Sequence, residues 1–537
     1  MLKITRLKET RLLTLRTVSI WALGLLCVLF IIFSVPWNMD EFLPYHALAC
    51  MSPSQQFNVY SQSCFGNPAE LGPIDYQRSY PYIGISSSLL LAPFFALWQS
   101  FWTPYLVGVL SLSAIIWGLA RSFSLPTRMV PSILLFFPLS LVVLHDQGPV
   151  RIGLIVMAWT PVVTVAFLRS SRWKPAWFLL LAIMWTVATE DKAFFVFLIP
   201  GLILFSIAGI YRQGVAAHLK SNWKALTVFF GLASGSCLGF LIVLQVQGMP
   251  YLEFLAQQSG GRRLKDLAFS AVSGASLTLN WPFTTNIVSD YAALGRAQLP
   301  GPAHVLAKFF PWGTSPEAVA VIVLSIMSIA GLLAIYLWSL LRSINSPNPS
   351  RRVEAALLLA SAAALALGAI IAVGQHTHHF IYAEIPLFLI VTLAFSIKAQ
   401  GAFKLAIALG GITTATLLAT WITPNPASAS REIREIVDVA YGVSDKDTIM
   451  NCASWGCYFP YSLVDAEQIP VVFADQVDDM RRLESRTRNL GRNIVHLCFD
   501  CSLSEVSNLY SKSDVIQVKA DTLIWKAFKV SPRAIED

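Results

Sequence analysis

Charge is what this sequence has least of. Only 13% of its 537 residues are Asp, Glu, Lys or Arg, while 55% are hydrophobic; soluble domains carry roughly 25% charged residues. An ordinary soluble enzyme is excluded for most of the chain. No nucleic-acid-binding motif is present, so nucleic acid is not an expected partner. The net charge of +8 reads instead as Lys and Arg retained on the cytoplasmic side of a membrane. Internal repeats and low-complexity tracts are also missing. So is a small-residue cleavage site after the first apolar run, "TVSIWALGLLCVLFIIF", because the following "SVPWNMDEF" is bulky and acidic. The basic N-terminus "MLKITRLKETRLLTLR" therefore reads as the inner flank of an uncleaved first span rather than as a secretory signal.

What the sequence does have is a succession of apolar runs of about 17 to 23 residues, long enough to cross a bilayer. They fall near 17–36, 102–120, 129–145, 152–168, 175–189, 193–210, 225–245, 319–341, 353–373, 381–397 and 405–422. A further run at 84–98, "GISSSLLLAPFFALW", is shorter and contains Pro93. The distribution of Lys and Arg decides its status. If 84–98 does not cross, the basic turns "RSFSLPTR", "RSSRWK", "YRQGVAAHLKSNWK", "RSINSPNPSRR" and "KAQGAFK" all share a side with the basic N-terminus. If it crosses, every later loop flips and the rule is violated repeatedly. The expectation is about eleven spans, N-terminus inside and C-terminus outside, with 84–98 lying in or dipping into the outer interface.

This arrangement collects the polar residues of the short turns on one face. Asp40 and Glu41, with Tyr45 and His46 close behind, follow the first span. His145 and Asp146, then Glu190, Asp191 and Lys192, then His376, His378 and His379, occupy later outside turns. The long loop at about 246–318 falls on the same side. After the last span a Pro/Ser/Ala linker at 423–430 separates residues 1–422 from a segment of soluble composition, 431–537. There, short apolar runs ("IPVVFAD", "NIVHLCFD", "DVIQVKA") alternate with polar helical patterns such as "DQVDDMRRLESRTRNL". That alternation predicts a small α/β domain, placed outside by the topology.

Cys27 and Cys237 lie within spans and read as packing residues. Cys50, Cys64, Cys452, Cys457, Cys498 and Cys501 all fall outside, where disulfides persist. A Cys50–Cys64 bridge would close the loop just after the acidic pair and contribute about 3 kcal/mol. The spacings "CASWGC" and "CFDC" also fit a four-cysteine zinc site; an oxidising compartment favours disulfides.

A positioned carboxylate such as Asp40 or Glu41 suits a general base or a ligand for a hard cation. A bland alternative, acids merely solvated or capping a helix at the membrane edge, applies to each. The layout "MDEFLPYHA" after an N-in first span, an interfacial segment "YPYIGISSSLLLAPFF", polar turns "HDQGPVR" and "TEDKAFF", and an outside C-terminal domain resembles the lipid-linked-sugar glycosyltransferases of the GT-C superfamily. The resemblance implies an α-helical polytopic membrane protein with about eleven transmembrane helices in a GT-C-like arrangement and a small extracytoplasmic α/β domain. It implies transfer of a sugar from a polyprenyl-phosphate donor to a glycan, lipid or protein acceptor outside a bacterial inner membrane. Asp40 would deprotonate the attacking hydroxyl, with Glu41 as neighbour or substitute. Asp146 and Glu190 match the acids of later outside loops and, with Asp40, would hold a divalent Mg or Mn ion if one is used. No Asp-x-Asp triplet is present.

The leaving phosphate needs cations or fixed donors as its charge develops. Lys192 and Arg151 are isolated positive charges on an otherwise acidic or neutral face, and Arg262, Arg263 and Lys265 in "SGGRRLKD" form a second cluster. Snorkelling or solvated side chains are the alternative for each. The histidine turn "QHTHHF" fits metal, phosphate or sugar-hydroxyl binding, or plain capping of helix ends. Tyr76, Tyr80, Tyr82, Trp281, Tyr291 and Trp312 supply aromatic surface for an interfacial belt or for stacking on sugar rings. Two competing classes remain. A transporter or flippase of a lipid-linked saccharide calls for ionisable residues at mid-membrane, which these spans largely lack. A scaffold built around the outer domain would make Asp40 dispensable.

Overall fold

The computed structural model describes residues 86–98, 103–125, 151–246, 338–373, 429–453, 471–518 and 525–533, apart from single positions within them, and scattered helical positions between 327 and 412. Its apolar runs are helices: α1 Ser86–Leu97, α2 Thr103–Phe123, α3 Arg151–Arg169, α4 Lys174–Asp191, α5 Ile199–Arg212, α6 Ala216–Val246 and α7 Pro349–Val373. Among the described residues, five helical stretches are long and apolar enough to cross a membrane: Tyr105–Phe123, Arg151–Arg169, Ala193–Arg212, Ser221–Val243 and Pro349–Ala369. Arg151–Arg169 and Ala193–Arg212 are largely buried, while α2, α6 and α7 carry apolar residues outward as well as inward: on α6, Phe229, Phe230 and Ala233 are buried while Val228, Leu232 and Ile242 are exposed. Apolar on all sides is what a helix surrounded by lipid requires.

Two boundaries differ from the apolar runs. Residues 193–210 read as one span, yet Ala193–Leu198 forms a 3-10 turn before α5 begins. Pro200, in the first turn of α5, has no N–H to give and suits a helix start. α6 starts at residue 216, well before the apolar run at 225, because "AAHLKSNW" continues the helix as a polar first turn.

The helices run alternately up and down, so the basic turns meet at one end of the bundle. Arg212, at the end of α5, donates from Nε to the carbonyl of Phe123 at the end of α2 (2.9 Å) and stands 4.0 Å from Glu354 in the first turns of α7. Gln213 donates to the carbonyls of Arg121 and Ser122, both at 3.0 Å. Lys174 Nζ reaches Asn222 Oδ1 of α6 at 3.3 Å. α5 and α7 meet backbone to backbone. A Cβ at Gly201 would lie 2.4 Å from Leu365 Cγ, and one at Gly368 2.4 Å from the Phe197 carbonyl oxygen. Ser361 Oγ donates to the Gly201 carbonyl at 2.8 Å. Small residues at this crossing permit the close approach on which helix association in lipid depends.

The C-terminal residues form a mixed five-stranded sheet in the order β2-β1-β3-β5-β4, from β1 Thr448–Cys452, β2 Val471–Val472, β3 Asn493–Phe499, β4 Ser513–Val518 and β5 Trp525–Pro532. β1 is parallel to β2 and β3, and β5 is antiparallel to β3 and β4. Helices α8 Ala429–Val443, α9 Val477–Asn489 and α10 Leu503–Leu509 cover it. α8 turns Ile436, Val437 and Ala440 to the sheet and leaves Glu435 and Asp438 exposed, the one-sided pattern of a surface helix. α10 begins in a capping box: Ser502 Oγ accepts the Glu505 N–H while the Glu505 carboxylate accepts the Ser502 N–H. The hydrophobic core of this unit is shared with the bundle. Tyr105 and Val107 of α2 belong to it, and Phe94 of α1 packs against it.

Candidate active site

The site grows from the way α4 ends. Lys192 takes an extended conformation (φ −148°, ψ 106°) and closes the helix with its N–H on the Ala188 carbonyl. The 3-10 turn follows at once, its Phe195 N–H on the Lys192 carbonyl at 2.9 Å. This break sits at the opposite end of α4 from the basic turns. α3 and α4 are neighbours joined through a short connection at 170–173, so Arg151, the first residue of α3, lies at that same end.

The charges there are withdrawn from solvent. Arg151 is 2% exposed, Asp191 1% and Lys192 4%. Buried charges must be paired or hydrogen-bonded, and the carboxylates find their donors on α1. Ser87 N–H donates to Asp191 Oδ1 at 2.7 Å. Glu190 Oε2 accepts the Ser86 N–H at 3.0 Å and also the Ser86 hydroxyl. Acids at the start of a helix satisfy its orphan N–H groups and complement its dipole. Here the acids come from more than 100 residues away in sequence. The Lys192 ammonium lies over the Phe194 ring, 5.2 Å from its centroid.

Of the sequence-derived candidates, Arg151, Glu190, Asp191 and Lys192 are thus brought to one end of the bundle. Asp40, Glu41, Tyr45, His46, His145, Asp146, Arg262, Arg263, Lys265, His376, His378 and His379 lie outside the described residues, as do the six candidate aromatics. Two of the three acids proposed for a metal, Asp40 and Asp146, are among these. Among the described residues no group of three or more His, Cys, Asp or Glu side chains is disposed to hold a metal ion. Ser86 and Ser87 escape a reading of the sequence, because a serine run before an apolar stretch signals a helix start without naming its partners.

Disulfide chemistry is present in the C-terminal unit. Cys498 and Cys501 are bonded, with Cα atoms 6.1 Å apart, and Cys452 is also disulfide-bonded. Cys457, Cys50 and Cys64 lie outside the described residues. The core beneath holds a polar cluster. Asn451 Nδ2 and the Tyr510 hydroxyl each lie 3.0 Å from His496 Nδ1, and Asn451 Oδ1 accepts the Ala474 N–H at 2.8 Å. Burial holds His496 far below the usual imidazole range, at about 3, and pushes the Tyr510 hydroxyl up. Neutral His496 therefore works as an acceptor inside the sheet.

An apolar helical bundle that shares a core with a C-terminal α/β unit defines the fold, and that fold is one seen among solved membrane proteins. Among solved structures it matches ArnT from Cupriavidus metallidurans bound to undecaprenyl phosphate, with a TM-score of 0.52 over 96% of this chain and 98% of that one, at 11% identity. The apo state of the same ArnT aligns with a TM-score of 0.43 and 15% identity over 96% and 97% of the two chains. No protein-family model and no curated protein matches the sequence.

Proposed function

We propose that the chain is a membrane glycosyltransferase that moves a sugar from a polyprenyl-phosphate donor to an acceptor hydroxyl on the extracytoplasmic side of a bacterial inner membrane. The observation that carries this reading is the pair of buried cations, Arg151 and Lys192, at the end of the bundle away from the basic turns. The fold is shared with a protein crystallised on undecaprenyl phosphate. Fixed cations held away from bulk water act strongly on negative charge that develops beside them, as it does on a departing lipid phosphate.

In the reaction the acceptor oxygen attacks the anomeric carbon and the carbon–oxygen bond to phosphate breaks. Its electron pair leaves with the polyprenyl phosphate, and the anomeric centre inverts. Asp40 accepts the hydroxyl proton, with Glu41 beside it. Lys192 and Arg151, joined by Arg262 and Arg263, offset the phosphate charge as it develops. Tyr45, His46, His145, Asp146, His376, His378 and His379 supply polar contacts to sugar and acceptor, and Asp40, Asp146 and Glu190 are the ligands for Mg or Mn if a metal takes part. About eleven spans, N-terminus cytoplasmic, place these residues outside.

The test is transfer by the purified full chain from synthetic polyprenyl-phosphate sugars. Asp40→Asn is expected to lose about 10²- to 10⁴-fold in rate while still binding donor. Lys192→Ala is expected to weaken donor binding about tenfold or more. Full activity of Asp40→Asn removes it as the base, and no turnover with any donor overturns the transferase reading.

A further inference from the structure

Two carboxylates in an anion site pose a problem of charge. Glu190 and Asp191 stand at the same end of the bundle as Lys192 and Arg151, so a phosphate anion approaching the two cations meets two carboxylates as well. The hydrogen bonds from α1 resolve it. The Ser86 N–H and hydroxyl are on Glu190 and the Ser87 N–H is on Asp191, at the end of a 12-residue helix that carries roughly half a positive charge. We propose that Ser86 and Ser87 are positioning residues of the donor-phosphate site, a role that rests on the transferase reading above. They neutralise and hold the acidic pair, so that Lys192 and Arg151 present the positive charge.

The same bonds fix α1 itself, and α1 is tied at two places. Its first residues hold the 190–191 turn, and Phe94, two turns further along, packs against the core of the C-terminal sheet. One helix therefore connects the phosphate cations and the C-terminal unit. This predicts the opposite of a simple field effect. Were the carboxylates only nearby charges, removing one would tighten anion binding.

The experiment separates the two with Ser86 variants of the full chain in lipid nanodiscs. Ser86→Pro removes the N–H and hydroxyl yet suits the first helical position, whereas Ser86→Thr keeps both donors. The first readout is the distance between nitroxide labels at positions 97 and 179, both exposed, with a second pair at 179 and 232 as the control for an intact bundle. The second readout is binding of undecaprenyl phosphate. Ser86→Pro is expected to broaden the 97–179 distance, leave 179–232 unchanged and weaken undecaprenyl phosphate about tenfold; Ser86→Thr is expected to match the parent. Asp191→Ala is expected to weaken binding as well. Unchanged distance in Ser86→Pro overturns the clamp, and so does tighter binding by Asp191→Ala. A disturbed distance with unchanged binding overturns the positioning role. Loss of the 179–232 distance in Ser86→Pro also overturns it, because the bonds then serve the bundle as a whole. If the parent chain itself binds no undecaprenyl phosphate, the transferase reading fails, while the distances still judge the clamp.

Discussion

Mild acid should loosen the C-terminal sheet, and His496 sets the size of the effect. In the folded chain its Nδ1 lies 3.0 Å from both Asn451 Nδ2 and the Tyr510 hydroxyl, and the imidazole stays neutral, its pKa held at about 3 by burial. Unfolded, it titrates near 6.5. Above pH 6.5 the ring is neutral in both states and contributes no pH dependence. Below it, the unfolded chain binds a proton that the folded chain refuses, so stability falls with pH at about 1.4 kcal/mol per unit until the folded ring titrates near 3. Between pH 6.5 and 5.0 the loss is about 2 kcal/mol, a large part of the stability of a domain this size. The window matters because Asp445 and Glu505, both held below the usual carboxylate range by hydrogen bonds from Thr448 and Ser502 respectively, add their own losses only at lower pH. Hydrogen exchange of peptides covering β1 and β3 in the full chain, corrected for intrinsic rates, reads the opening free energy directly. His496→Gln should start less stable and lose the slope. A parent chain with no slope between pH 6.5 and 5.0, or a His496→Gln chain that keeps it, refutes the reasoning.

Two further outcomes follow from the bundle. Gly201→Val places a branched side chain where even a Cβ meets Leu365 at 2.4 Å; α5 and α7 must separate, and a drop of several degrees in the thermal midpoint of the detergent-solubilised protein is expected. Arg212→Leu takes from the buried Glu354 carboxylate one of its two neighbouring cations, Arg351 being the other, and should lower the thermal midpoint. Adding Glu354→Leu should recover most of that loss, and a double variant as unstable as the sum of the singles shows that the pair does not interact.

Among the described residues, helix positions were largely legible in the sequence, because lipid-facing and core-facing surfaces are both apolar and length alone marks a span; the expected spans near 17–36, 129–145, 381–397 and 405–422 lie wholly or mostly outside those residues. The shared end of the basic turns was legible for the same reason: Arg121, Arg169, Lys174, Arg212 and Arg351 punctuate the runs. β3 and α9 were legible from "NIVHLCFD" and "DQVDDMRRLESRTRNL", whereas β1 and β5 were not. "TIMNC" is short, and "WKAFKVSP" interleaves lysines that suit an exposed edge as well as an inner strand. At the site, Glu190, Asp191, Lys192 and Arg151 stood out as rare charges between apolar runs. Their partners did not, since the bonds from Ser86 and Ser87 span 104 residues and no local pattern encodes such a pairing. Nor did the Asn451–His496–Tyr510 cluster, whose members look like unremarkable polar residues until the sheet closes over them.

The core shared between α2 and the C-terminal sheet bears on how the chain is made. Tyr105 and Val107 are translated early, and the strands that share their core follow more than 300 residues later. At about 5–20 residues per second that leaves an apolar patch bare for tens of seconds on every nascent molecule. Completion of the sheet is thus what closes this patch, and a chain interrupted before β5 leaves it partly bare.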